Sequence, residues 1–140
     1  MYGNGTAQND VRLLKVVNFA ARVITGLRKH DRISRARTDL HLLTPRQMCD
    51  LQTVIMAHKT IMSGEPTELT ELFQTFSEAR TANRVTRQDD SFRPPSVRTA
   101  AGQRSFAYRA ASLLNDMPAE VRQLPASRFK RAARSVIAAD

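Results

Sequence analysis

The chain has 140 residues, a length that suits one domain with an adequate core and needs no disulfide staple. Lysine and arginine number 22 against 13 aspartates and glutamates, a net charge of +9. The single cysteine, Cys49, excludes an intramolecular disulfide, and no apolar run has membrane-spanning length or the layout of a secretion signal, so a soluble intracellular protein, nuclear or cytoplasmic and with no membrane partner, is expected.

Residues 1–9 contain Gly3, Asn4 and Gly5 without periodicity and read as a disordered start. Asp10 is placed to cap a first helix. Leu13, Val17, Ala20, Ile24 and Leu27 recur at steps of four, three, four and three, and Val16, Phe19 and Val23 widen the apolar face. Gly26 offers the C-terminal stop. The next run is basic: Arg28, Lys29, Arg32, Arg35 and Arg37 against Asp31 give 5 − 1 = +4. No aromatic residue interleaves, so the run is either a phosphate-contacting stretch or a solvated connector. Ser34 is a candidate cap for a short helix to about Leu40. Thr44, Pro45 and Gln47 form a capping box with proline at the first helical position, and Leu43 and Met48 form a candidate hydrophobic staple. Met48, Leu51, Ile55, His58 and Met62 then share a stripe that ends at Gly64, with the methionines expected as core filler. After the break at Glu65-Pro66, Thr67 is the expected cap of a short helix carrying Leu69, Leu72, Phe73 and Phe76.

From about 77 to 101 the period is lost and Thr, Arg, Ser and Pro94-Pro95 dominate, which predicts a long loop. The chain is then expected to turn at Gly102 into a helix whose apolar residues, Phe106, Ala110, Leu113 and Met117, lie on one face, with Arg98, Arg104 and Arg109 off it. Pro118 ends that helix. A single turn over Glu120–Gln123 and a last helix from about Pro125 follow. In the last helix Phe129, Ala132, Ala133, Val136 and Ile137 face inward, and Arg128, Lys130, Arg131 and Arg134 face out. The fold class is mostly α: about five amphipathic helices in a small irregular bundle. Its parts are a disordered 1–9, a helical 10–76, a loop at 77–101 and a helical 102–140.

Chemistry-bearing constellations are few. Paired aspartates hold magnesium in polymerases, but Asp89-Asp90 follows Arg87 and Gln88, with no apolar strand around it and no further carboxylates at hand. His30, His41 and His58 are too scattered for a zinc-finger spacing. Cys49 has no acyl-transfer signature, and the five glycines form no phosphate loop. No catalytic residue, metal ligand or cofactor is therefore assigned. Arginine supplies 18 of the 22 basic residues. Its planar fork suits phosphate, so the charge points either to an RNA or DNA partner or to a solvated arginine-rich surface.

Several words of the chain resemble the C-terminal region of reverse transcriptases from non-LTR (LINE-type) retrotransposons. They are Asn18-Phe19-Ala20-Ala21-Arg22-Val23-Ile24-Thr25-Gly26, Leu42-Leu43 with Arg46-Gln47, and Lys59 with Gly64-Glu65-Pro66 and Leu69. Arg104-Ser105-Phe106-Ala107-Tyr108, Asn115, Met117 to Arg122, and Phe129-Lys130-Arg131 complete the set, in the family's order over about 120 residues. Leu42 and Leu114 stand where that family has tryptophan, His58 where it has tyrosine, and Thr44 where it has leucine before the proline. The family's polymerase palm and endonuclease lie upstream of such a region. The resemblance therefore implies a non-catalytic fragment that binds RNA or DNA non-specifically, or a helical interaction module that docks on the polymerase part of a retroelement protein, or an element remnant without function. Arg22, Arg46, Arg98, Arg104 and Arg122 match family positions; with Arg28, Lys29, Lys130 and Arg131 they are the candidate nucleic-acid contacts.

Overall fold

The computed structural model describes residues 7–80 and 89–139. Of the start expected to be disordered over 1–9, residues 1–6 lie outside the described residues and 7–9 are instead the first residues of a helix; the middle of the 77–101 loop also lies outside the described residues. Eight helices are present among those described: α1 (Ala7–Thr25), α2 (Ile33–Asp39), α3 (Pro45–Ser63), α4 (Thr67–Thr70), α5 (Ala100–Gln103), α6 (Phe106–Asp116), α7 (Ala119–Arg122) and α8 (Ala126–Ala139). Three of these, α4, α5 and α7, are single turns. Of the other five, α1, α3, α6 and α8 are helices that the periodicity predicts and α2 is the short one expected to about Leu40; the fold is mostly α with no strand among the described residues. The chain divides into two compact units, Met1–Cys49 and Asp50–Asp140, with the division inside α3.

In the first unit α1 packs on α2, and the fully buried residue of each is an alanine, Ala21 and Ala36. The inward side of α1 is Leu14, Val17, Asn18, Ala21 and Arg22, not the expected stripe through Leu13, Ala20 and Ile24. Periodicity could not choose between them, because α1 is apolar on two sides. Gly26 ends α1 at φ +68°, a left-handed conformation that suits glycine. Asp10 lies within the first turn of α1 and is not its cap. α2 starts from Arg32, with no side-chain cap, so Ser34 lies inside it. The α3 capping box forms as expected: the Gln47 amide donates to Thr44 Oγ1 (3.3 Å) and the Thr44 amide donates to Gln47 Oε1 (2.9 Å). Leu43 is buried, but Met48 is half-exposed and staples nothing down.

In the second unit α3 presents Leu51, Val54, Ala57 and His58, α6 presents Ala110, Ala111 and Leu114 with Met117 beyond its end, and α8 presents Phe129, Ala133 and Ile137. These steps of three and four form one core. Met56 and Met62 stand outside it, so on α3 the methionines are surface residues and not filler. Val54 and Ala57, rather than Ile55 and Met62, carry the buried stripe. The helix expected through Phe76 stops at Thr70, and its N-cap is Pro66, not Thr67. Beyond it Phe73 is buried, making edge-to-face contacts with Phe92 and Phe106. Thr75 and Phe92 pair as an isolated antiparallel bridge, which closes the long loop at its base.

α6 begins one turn later than expected. Gly102 lies in α5, where a Cβ would meet Val97 Cβ at 2.9 Å. The helix start belongs to Ser105, whose hydroxyl accepts from the Tyr108 amide.

Candidate nucleic-acid interface

The nine candidate contacts fall into two groups by unit. In the first, Arg22 is half-buried: one guanidinium nitrogen donates to the Asp31 carbonyl (3.5 Å), and its Nε is buried without a partner. Arg28 and Lys29 stand exposed in the turn after α1, which is held by the Arg28 amide donating to the Asp31 carboxylate (2.7 Å). Arg46 lies 3.9 Å from the Asp10 carboxylate and is largely exposed, so the pair adds little.

In the second unit Arg104 donates from Nε to the Ala100 carbonyl (3.2 Å), and Arg122 donates to the Asp90 carbonyl (3.1 Å). Arg104 holds the turn of α5, and Arg122 ties α7 to the loop at Asp90, 32 residues earlier. Arg98 is exposed in the extended stretch before α5. Lys130 and Arg131 are exposed on α8, beside Arg128 and Arg134. That helix has no acidic residue from Ala126 to Ala139, and Arg128, Lys130 and Arg131 have no ion-pair partner among the described residues. A groove of about 460 Å³ runs along it, lined by Leu124, Ser127, Arg128, Arg131, Ala132 and Ser135. Two guanidinium groups and the Ser127 hydroxyl can donate to phosphate oxygens, the Ser135 hydroxyl donates to the Arg131 carbonyl (3.3 Å), and no aromatic side chain lines the groove to stack on a base.

His58 locks α8 in place. The ring is 4 % exposed and stacks on Phe129, centroids 3.7 Å apart and planes 8° apart. Burial lowers its pKa, and the carbonyls of Arg122 and Leu124 act in the opposite direction. Nε2 is buried without a hydrogen-bond partner. The histidine is a packing residue: it stands on the inner side of the helix whose outer side is cationic.

Three polar contacts of the second unit were not visible as sites in the sequence. Arg109 turns inward from α6 to pair with Asp50 of α3, the two side chains only 13 % and 14 % exposed. Its place off the Phe106–Met117 stripe suggested solvent, and only the facing carboxylate reveals otherwise. Asn115 grips the backbone of Phe92, accepting from its amide and donating to its carbonyl, both at 2.8 Å. Asp89 pairs with Arg80 at 3.0 Å. That contact gives the Asp89-Asp90 step a structural duty, and no group of three His, Cys, Asp or Glu side chains with metal-binding placement occurs among the described residues. No described helix is long and apolar enough to cross a membrane. Comparison with protein-family models, with curated proteins and with solved structures yields no match.

Proposed function

We propose that this chain is a non-catalytic helical module, akin to the C-terminal region of a LINE-type reverse transcriptase, that holds RNA or DNA non-specifically through phosphate contacts from the outer face of α8. The observation that carries this is the acid-free α8, whose Arg128 and Arg131 line a groove with two serines and whose Lys130 adds exposed charge on the other flank. Such a face neutralises backbone charge and reads no bases, since sequence is read at base edges and these side chains are not built into a groove-reading motif. Arg98 extends the supply of exposed charge, whereas Arg104 and Arg122 serve the fold.

The test is fluorescence anisotropy with a labelled 20-base-pair duplex and a labelled RNA of the same length. Three phosphate contacts give a slope of about −2.7 in log affinity against log salt, so affinity drops roughly fortyfold between 50 and 200 mM salt. Replacing Arg128 and Arg131 together by glutamine lowers that slope by about 1.8. Binding that ignores salt, or that is untouched by the double substitution, refutes the assignment.

A further inference from the structure

α1 is apolar on both sides. Leu14, Val17 and Ala21 face α2 and the first unit's interior, while Val16, Phe19, Ala20, Val23 and Ile24 are all exposed, Phe19 to 69 %. The outward set runs i, i+3, i+4, i+7 and i+8, the spacing of a complete packing stripe. A helix apolar all round belongs between two layers, and the first unit supplies only one of them.

The rim of the outward stripe is of one sign. Arg12 and Lys15 flank it on α1, Arg28 and Lys29 stand just past its C-terminal end, and all four are exposed with no ion-pair partner among the described residues. The one acid on α1, Asp10, is half-buried beside Arg46. A second copy of the chain would bring a like-charged rim onto this one. It would also bury little: from Arg12 to Thr25 the ridge is roughly 21 Å long and 10 Å wide, well below the roughly 800 Å² per partner of a stable interface. A groove that wraps the ridge buries its flanks as well.

We infer that the outward face of α1 docks in an apolar groove of another protein whose rim carries carboxylates. Phe19 and Val23 are the anchors, and Arg12, Lys15, Arg28 and Lys29 read the rim. This site is separate from α8 and does not depend on nucleic-acid binding.

A suitable probe is a designed peptide of two linked antiparallel helices whose facing Leu rows form an apolar groove rimmed by Glu, paired with a control whose rim carries Lys. Isothermal titration of the full chain should show binding of the Glu peptide, at least tenfold weaker binding of the Lys peptide, and at least tenfold loss with Phe19→Ser. Val23→Ser is the companion variant, and the circular dichroism of both should match the parent because neither side chain is buried. Equal affinity for the two peptides overturns the charged rim. No binding, or binding unaffected by both substitutions, overturns the site. Dimerisation of the chain alone in sedimentation, lost in Phe19→Ser, assigns the face to a second copy and overturns the inference. Binding only to vesicles of phosphatidylserine and phosphatidylcholine assigns it to lipid, with the same consequence.

Discussion

Asn115 is the polar residue of the second unit whose two bonds most directly test how the loop is held. Its amide completes the backbone of Phe92 as a neighbouring strand would, and the pair of 2.8 Å bonds ties the end of the long loop to α6. Asn115→Ala removes both. At a net ~1 kcal/mol each, the loss is about 2 kcal/mol, because the Phe92 groups are part-buried and water replaces the amide poorly. With a urea slope of about 1–2 kcal/mol/M the midpoint falls by roughly 1–2 M. Asn115→Asp separates the two bonds. At pH 7 the introduced carboxylate still accepts from the Phe92 amide but repels its carbonyl. Protonated, it can donate to that carbonyl and restore the pair. Its folded pKa is therefore raised, so the restored stability is complete below the unfolded value of about 3.9 and is lost as pH rises through the folded value. Urea titrations of variant and parent at pH 7 and pH 3.5, with amide exchange at Phe92 as the local readout, measure this. A deficit below ~0.5 kcal/mol for Asn115→Ala, or an Asn115→Asp deficit that does not shrink in acid, would show that the clamp does not hold the loop.

Asp50→Ala leaves the largely buried Arg109 guanidinium without its carboxylate and should cost about 2–3 kcal/mol in urea unfolding. Asp50→Leu combined with Arg109→Met should cost less than the sum of the two single changes, and strict additivity would deny the coupling. His58 takes up a proton less readily when folded, so the unfolded chain protonates first. Stability is then complete above pH 6.5 and declines as pH falls below it. His58→Phe keeps the stack on Phe129 and should flatten stability between pH 7.5 and 5; an unchanged pH profile would place the dependence elsewhere.

α1, α3, α6 and α8 were legible because each carries a complete apolar period with a start or stop signal, whereas α2 has no such period and was expected only from Ser34, which lies inside it. The Thr44–Gln47 box and Gly26 behave as their local chemistry dictates. The inward face was legible for α8, where one stripe is apolar and the other cationic. It was illegible for α1, where two stripes are apolar and only the partner helix chooses. On α3 the buried stripe is made of Leu51, Val54, Ala57 and His58, so a small residue and a histidine outrank the methionines. Periodicity sets His58 on the stripe, but the ring that seals it, Phe129, lies 71 residues away in the chain and spacing cannot reveal it. The same distance effect hid Arg109 and Asn115, whose partners lie in other elements. The charge of α8 was visible in the sequence; that Arg104 holds its own turn and Arg122 reaches back to the loop at Asp90 was not, since their acceptors are backbone carbonyls.

The placement of the thioethers has a consequence for chemical ageing. Met48, Met56 and Met62 stand in solvent, while Met117 is sealed to 4 %. Peroxide reaches the first three readily, and their conversion to sulfoxide adds polarity where water already is. At Met117 the same oxygen atom would have to enter the apolar interior. Mild oxidant should therefore convert Met48, Met56 and Met62 to sulfoxides while the protein stays folded. Peptide mass mapping should find Met117 intact until the second unit opens, which makes that one side chain a built-in reporter of unfolding.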